Sequence, residues 1–268
     1  QHQCYLPLNF VANADDCNDS NSMLTPNDLD GDGYSTCNGD CDDSRSDLNP
    51  AAIERARQLD EIQLKSEGRD KNSIFGIPVL LKDNIGFAGI PTTAGAAALI
   101  ENHTTNAFIT DRLLEQGAIV LGKANLSEWA YFFCRDCPSG YSAVGGQTLN
   151  PYGRLDFGTG GSSSGSGASI AANYAAVAVG SETSGSILSP SSANSLVGLK
   201  PTTGSLSRSG VVPISSTLDT VGPMGRSVAD VVTLFNAMVG FDGEDPAMPR
   251  LSEDLQLIIR QAPTDNGT

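Results

Sequence analysis

After Pro50, hydrophobic residues follow two alternating patterns along the chain. Some stretches repeat apolar residues every three or four positions, which is typical of helices, and others are short apolar runs bounded by glycine or asparagine, which is typical of buried strands. This alternation predicts an α/β fold. We expect helices at 53–62, 107–116, 168–175 and 227–239, and strands at 77–82, 118–122, 176–180 and 196–200.

Two of the predicted helices carry further signals. Ser227 and Asp230 have the spacing of a capping box at the start of the last helix. The acidic, proline-containing stretch after residue 242 is expected to connect to a further part of the protein. We interpret four apolar residues at intervals of three as one face of the first helix: Ile53, Ala56, Leu59 and Ile62.

Residues 1–50 lack these patterns and differ in charge. They hold ten Asp, no Glu or Lys and one Arg, a local charge of −9 within a formal net charge of −15 for the 268 residues. Such acidity repels nucleic acid and anionic membrane surfaces, so we expect neither as a partner. The change in composition predicts two domains, residues 1–50 and residues 51–268.

An internal repeat with a period of 24 residues relates residues 14–26 to residues 38–50. Between the copies, carboxylates alternate with glycines, a pattern that can turn several oxygens towards one Ca²⁺ ion. A standard EF-hand is excluded, because Gly39 stands where its bidentate Glu would be. The segment resembles thrombospondin type-3 repeats, although a disordered acidic tail is an alternative. The resemblance implies a small irregular Ca²⁺-loop segment with these ligands: Asp28, Asp30, Asp32, Asp40, Asp42 and Asp43.

Cysteine usage gives an expectation about location. Four of the six cysteines lie in residues 1–50 and are interpreted as two disulfides formed in an oxidising compartment. We therefore expect a secreted, periplasmic or cell-surface protein. Cys134 and Cys137 are interpreted as a further disulfide or as two thiols, because no second pair completes a zinc site. The sequence has no run of 18 apolar residues, so no membrane span is expected.

Candidate catalytic residues are serines and a lysine. The only histidines are His2 and His103, so a Ser-His-Asp triad and a His-rich zinc site are improbable. Two Gly/Ser segments, 160–167 and 180–187, are flanked by apolar periodic stretches and are expected to be packed turns. A serine nucleophile needs a base, and burial can lower the pKa of a lysine enough to supply one. Lys82 ends an apolar run and meets this requirement, although a solvated strand end is the alternative.

Four motifs give this chain its resemblance to amidase-signature enzymes. They are Gly76–Asn84, Gly122–Trp129, Gly160–Ser166 and the pair of segments 180–187 and 197–202, in that order. The resemblance implies a mixed open sheet flanked by helices, incomplete in this chain, and a Ser–cis-Ser–Lys triad without a cofactor.

The family pattern also implies residue roles. The nucleophile follows the cis-peptide serine by 24 residues, which selects Ser162 and Ser186. Lys82 would be the base, Ser162 the proton relay after a cis bond, and Ser186 the nucleophile that forms an acyl-enzyme from a small-molecule or peptide amide. The implied oxyanion hole consists of the backbone N–H groups of Thr183, Ser184, Gly185 and Ser186.

Two departures from the family pattern affect this site. Ser184 replaces the first of two glycines before the nucleophile, and Leu188 replaces an arginine after it. Segments 161–166 and 204–215 look most like bacterial peptide amidases. The alternatives are the glutaminase-type component of a tRNA-dependent amidotransferase (its A component), against which the cysteines and the secreted-type repeat argue, and a non-catalytic Ca²⁺-dependent surface module.

Overall fold

The computed structural model describes residues 50–64, 73–133, 136–154 and 156–248. The chain divides into two compact units, Gln1–Gln58 and Leu59–Thr268. Residues 1–49 lie outside the described part, so the predicted domain boundary at residue 50 stays a prediction.

Seven strands and five helices build the described residues. The strands are β1 (Pro78–Lys82), β2 (Ile119–Ala124), β3 (Tyr141–Ser142), β4 (Gly146–Gln147), β5 (Val177–Glu182), β6 (Val197–Gly198) and β7 (Thr220–Gly225). The helices are α1 (Pro50–Leu64), α2 (Phe108–Glu115), α3 (Ser164–Ala171), α4 (Leu188–Ala193) and α5 (Val228–Met238), with short 3₁₀ turns at Ala97–Leu99 and Glu128–Tyr131.

The main sheet has the strand order β2-β1-β5-β7-β6, and β3 and β4 form a separate hairpin. Strands β2, β1 and β5 are parallel, whereas β7 runs antiparallel to both β5 and β6. The carboxyl ends of β1, β2 and β5 therefore meet at one edge of the sheet. Thr220, the first residue of β7, pairs with Glu182 at the same edge. The fold is a mixed α/β sheet, as expected.

Helices cover both faces of this sheet, because alternate strand residues point to opposite sides. Val79 and Leu81 belong to the larger core, which includes residues of α2 and α5. Leu80 packs against a smaller core that contains Ile170 of α3 and Ile187 at the start of α4. Lys82 alternates with Leu81, so the strand directs it towards the α3 side of the sheet.

Most predicted elements are confirmed, including the capping box at the start of α5. There Ser227 Oγ accepts from Asp230 N and Ser227 N donates to Asp230 Oδ2. The strand expected at 196–200 shrinks to the two residues of β6. The helix expected at 168–175 begins earlier, at Ser164. It ends before Asn173, which adopts a left-handed conformation with φ 68° that a helix cannot continue through.

The face predicted for α1 is wrong. Ile53 and Ile62 are 48% and 51% exposed, whereas Leu59 is 2% exposed. Residues spaced by three drift around a helix of 3.6 residues per turn, so Ile53 and Ile62 lie about half a turn apart in angle and cannot share one face.

Candidate active site

Lys82 is the last residue of β1 and its side chain is fully buried. Its Nζ donates to Ser162 Oγ at 2.7 Å, to Ser181 Oγ at 2.9 Å and to Ser181 O at 3.2 Å. Asn84 Nδ2 also donates to Ser181 Oγ, at 2.9 Å. The three acceptors around Nζ are therefore neutral oxygens, two of them on the neighbouring strand β5.

This environment changes the acidity of the lysine. Burial lowers the pKa of Lys82 from 10.5 to about 7, while the charges of Glu182 and Asp219 raise it and limit the fall. At neutral pH a large fraction of the amine is then unprotonated and able to accept a proton. The predicted burial of Lys82 is thus confirmed, and the solvated alternative is excluded.

Ser162 is held where the chain approaches Lys82. It is fully buried, its preceding peptide bond with Gly161 is cis as the resemblance implied, and its carbonyl oxygen accepts from Ser127 N at 3.0 Å. A Cβ atom at residue 161 would lie closer than 3.0 Å to the hydroxyls of Tyr131, Ser127 and Ser139. Only glycine fits at this approach.

Ser186 lies in the loop between β5 and α4 and is 8% exposed. Its carbonyl oxygen accepts from Ser163 N at 3.1 Å, which joins the backbone of this loop to the residue after Ser162. The structure therefore brings the segments of Lys82, Ser162 and Ser186 together at the carboxyl edge of the sheet.

The predicted oxyanion loop requires a correction at Gly185. The N–H of Gly185 donates to Glu182 Oε1 at 2.7 Å, so in this conformation it does not point towards a substrate oxygen. Thr183, Ser184 and Ser186 remain as the candidate donors. The physical reason is the adjacent buried carboxylate, which must find N–H partners when it is removed from water.

Glu182 is a site residue that the sequence reasoning missed. Its carboxylate accepts from the backbone N–H groups of Gly185, Ile187 and Leu188, at 2.7, 2.7 and 3.0 Å. The available signal was an acidic residue directly after the apolar run 176–180, within the second Gly/Ser segment.

Asp219, also missed, ties the same loop to the segment before β7. Its Oδ1 accepts from Thr183 Oγ1 at 2.5 Å, and its Oδ2 accepts from the N–H groups of Ile214 and Ser215 at 2.7 and 2.8 Å. A cavity of about 310 Å³ lies beside this connection and is lined in part by Thr183, Asp219 and Ile214. Lys82, Ser162 and Ser186 do not line it.

A second buried lysine lies one strand away. Lys123 of β2 forms an ion pair with Asp83 Oδ1 at 3.2 Å, and its Nζ also donates to Thr92 Oγ1 at 3.2 Å. Burial lowers the pKa of Lys123, while the charge of Asp83 and its hydrogen bond oppose that fall. Asp83 also accepts from the N–H and hydroxyl of Thr93.

Several predictions concern residues outside the described part. The expected Ca²⁺ ligands lie there, and no group of three or more His, Cys, Asp or Glu side chains in the described ranges could hold a metal ion. The expected ligands were Asp28, Asp30, Asp32, Asp40, Asp42 and Asp43. Cys137 is the one cysteine among the described residues and is disulfide-bonded, with its partner outside them. No described helix is both long and apolar enough to cross a membrane.

Sequence relatives include amidases and components of amidotransferases. A probable amidase of Arabidopsis thaliana is 46% identical over 209 residues, which cover 77% of this chain and 41% of the relative. The A component of the glutamyl-tRNA(Gln) amidotransferase of Symbiobacterium thermophilum is 43% identical over 195 residues, covering 72% of this chain and 38% of the relative. The chain thus spans less than half the length of these relatives.

Solved structures show the same two groups. The native peptide amidase of Stenotrophomonas maltophilia superimposes with a TM-score of 0.72 at 48% identity, covering 77% of this chain and 42% of that one. The A component of the glutamyl-tRNA(Gln) amidotransferase of Thermotoga maritima gives 0.57 at 32% identity, covering 74% and 44%. The sequence model of the family described as Amidase matches residues 36–266. Since that match takes in most of the chain, the chain belongs to the amidase family.

Proposed function

We propose that the full-length protein hydrolyses carboxylic amides, with Ser186 as nucleophile, Ser162 as proton relay and Lys82 as base. The observation that carries this proposal is the fully buried Lys82 amine, 2.7 Å from Ser162 Oγ and with a pKa of about 7. An amine that is partly neutral at physiological pH can accept the proton that a serine must lose to attack a carbonyl carbon.

In the proposed reaction, Ser186 Oγ attacks the amide carbon while its proton passes to Ser162 Oγ. Ser162 in turn gives its own proton to Lys82 Nζ. When the tetrahedral intermediate collapses, Lys82 returns a proton through Ser162 to the leaving nitrogen, and ammonia or an amine departs. Water then attacks the acyl-enzyme ester along the same relay, which releases the carboxylic acid and restores Ser186.

The negative oxygen of the tetrahedral intermediate needs donors that are in place before the reaction. The backbone N–H groups of Thr183, Ser184 and Ser186 are the proposed donors. Gly185 is not among them, because its N–H already donates to Glu182. This arrangement uses fewer donors from the loop than the sequence resemblance implied.

Peptide amides are the proposed substrate class. The higher TM-score to the peptide amidase than to the amidotransferase component, 0.72 against 0.57, supports this choice. The second candidate is the A component of a tRNA-dependent amidotransferase, which the 43% identity to such a component favours. The two differ in the fate of ammonia, which a hydrolase releases into water.

The test is hydrolysis of a C-terminally amidated peptide by the full-length protein. We expect equimolar ammonia and free peptide acid from the wild type, and no product from Ser186→Ala. Ser189→Ala is the matched control, since Ser189 is exposed and lies in α4, three residues after the nucleophile. A folded wild type that releases no ammonia from amidated peptides would overturn the proposal and favour a non-catalytic module.

A Ca²⁺-binding, disulfide-bonded appendage at residues 1–50 and a location outside the cytoplasm complete the proposal. Both rest on the acidic repeat, the cysteines and the local charge of that segment. Calorimetric titration of the full-length protein with Ca²⁺ tests the first. We expect saturable binding that the triple variant Asp28→Asn, Asp30→Asn, Asp32→Asn loses, and heat from non-saturable binding in both proteins would contradict it.

A further inference from the structure

Glu182 ends strand β5 and is 3% exposed, yet its hydrogen-bond partners are backbone N–H groups rather than a cation. Oε1 accepts from Gly185 N, and Oε2 accepts from the N–H groups of Ile187 and Leu188. These donors lie on both sides of Ser186. One carboxylate therefore closes the loop that carries the candidate nucleophile.

A buried carboxylate is expensive unless its oxygens are hydrogen-bonded, and bonds from N–H groups to a charged acceptor are stronger than those to a neutral one. The three bonds at 2.7, 2.7 and 3.0 Å supply this compensation. They also restrict the loop, because Gly185 and Ile187 cannot move away from Glu182 without leaving charge unsatisfied. Ser186, between them, is restricted with them.

We propose that Glu182 is a positioning residue that clamps the 183–188 loop and holds Ser186 beside the Ser162 segment. By engaging the N–H of Gly185, it also selects which loop N–H groups face the substrate oxygen. This inference rests on the proposed amide hydrolysis. It adds a residue that touches neither the amide nor the attacking oxygen but fixes the geometry of the residue that does.

The charge of Glu182 also acts on Lys82. Glu182 is the larger of the two charge effects that raise the pKa of the lysine against the effect of burial, and Asp219 is the other. Asp219 is bonded to Thr183, Ile214 and Ser215 on the other side of the loop. Asp83, which follows Lys82 in the chain, is paired with Lys123. Removing the charge of Glu182 should therefore lower the pKa of Lys82 further.

Two substitutions separate the reach of Glu182 from its charge. Glu182→Gln keeps the length of the side chain and removes the charge, whereas Glu182→Asp keeps the charge and shortens the side chain. Each is measured in the full-length protein as kcat and KM for an amidated peptide over a pH range from about 5 to about 9, on either side of the pKa of Lys82. The melting temperature serves as a check on folding.

We expect both variants to lose kcat by about 100-fold, the size of effect produced by a displacement of about 1 Å at a reacting group. KM should change little. In Glu182→Gln the acidic limb of the pH–kcat profile should move below that of the wild type. In Glu182→Asp the limb should stay near pH 7, the pKa of Lys82.

The inference and the proposed function fail in different ways. A wild type without hydrolysis overturns the proposed function and the inference with it. An active wild type whose Glu182→Gln variant keeps kcat within threefold overturns the inference alone. So does a loss of kcat with an unmoved acidic limb in Glu182→Gln, since a purely structural role predicts that result. If Glu182→Gln does not fold, Asp219→Asn tests the charge effect, with a smaller limb shift in the same direction as support and no shift as contradiction.

Discussion

Two buried lysines, Lys82 and Lys123, lie on the paired strands β1 and β2, where Lys123 is in register with Leu81. Lys82 is fully buried and the side chain of Lys123 is 7% exposed. The acceptors around Lys82 Nζ are hydroxyl and carbonyl oxygens of two serines. Lys123 Nζ contacts the Asp83 carboxylate at 3.2 Å.

This difference shows what makes a buried lysine a base. Burial lowers the pKa of both amines, since removal from water disfavours the charged form. Beside Lys123 a carboxylate in direct contact opposes that fall, and the pair is suited to join the ends of two strands. Beside Lys82 the carboxylates act only from a distance, and the pKa falls to about 7. The direct partner, more than burial itself, decides between catalysis and structure.

The largest expected effect is that of Lys82→Met. Without the base, amide hydrolysis should fall by about 10³-fold or more, as expected for loss of general base catalysis. Lys200→Met is the control, because Lys200 lies in the same unit and its amine donates to Pro201 O, away from the serines. Initial rates of ammonia release from both variants check this, and a Lys82→Met protein with a rate close to the control would contradict it.

Lys123→Met should affect stability instead. It leaves the Asp83 carboxylate buried without its cation, and breaking a buried pair in this way costs roughly 3 kcal/mol. Urea denaturation of the variant should show this loss, while the folded fraction keeps most of its hydrolysis rate. The double variant Asp83→Asn, Lys123→Met should regain much of the stability. Loss of activity in Lys123→Met without loss of stability would mean that the two lysines are not distinguished in this way.

Ser181→Asp should convert the surroundings of Lys82 towards those of Lys123. A carboxylate in contact with the amine favours its charged form and should raise its pKa by roughly one to two units. The acidic limb of the pH–rate profile should then move to higher pH. Ser181→Asn is the neutral control and should leave the limb near its wild-type position, whereas equal limbs in the two variants would contradict the role given to the partner.

The smallest effect concerns stability and pH. The Lys82 pKa is about 7 in the folded protein against 10.5 as the ordinary value. Between these values the unfolded chain binds more protons, so folding stability should rise with pH in this window. The contribution is about 1 kcal/mol for each pH unit within it. Urea midpoints of the wild type and Lys82→Met at two pH values inside the window check it, and equal slopes in the two proteins would refute it.

The elements with strong periodicity could be predicted from the sequence, among them β1, α2 and α5. Strand β7 could not, because Gly222, Pro223 and Gly225 have low strand propensity. All six residues of β7 are nevertheless buried, between β5 and β6. Tertiary pairing on both edges outweighs the local preference. The face of α1 failed for a different reason, since intervals of three match a helix only over one or two turns.

The site was partly predictable in the same sense. The position of Lys82 at the end of an apolar run indicated burial, and the resemblance indicated its proximity to Ser162. The roles of Glu182 and Lys123 depend on which loop or strand folds against each side chain. Both residues stand within motifs that the sequence presents, but their partners, Gly185 to Leu188 and Asp83, are determined by backbone geometry and strand pairing.

The central claim is that neutral Lys82 activates Ser186. Its most direct test is the rate at which a fluorophosphonate probe labels the full-length wild type and Lys82→Ala on either side of neutral pH, with the label located by mass spectrometry. The account predicts label on Ser186, with a rate that rises through about pH 7, the pKa of Lys82, and a loss of labelling in Lys82→Ala. A folded wild type without label on Ser186, or an equal labelling rate in Lys82→Ala, would contradict it.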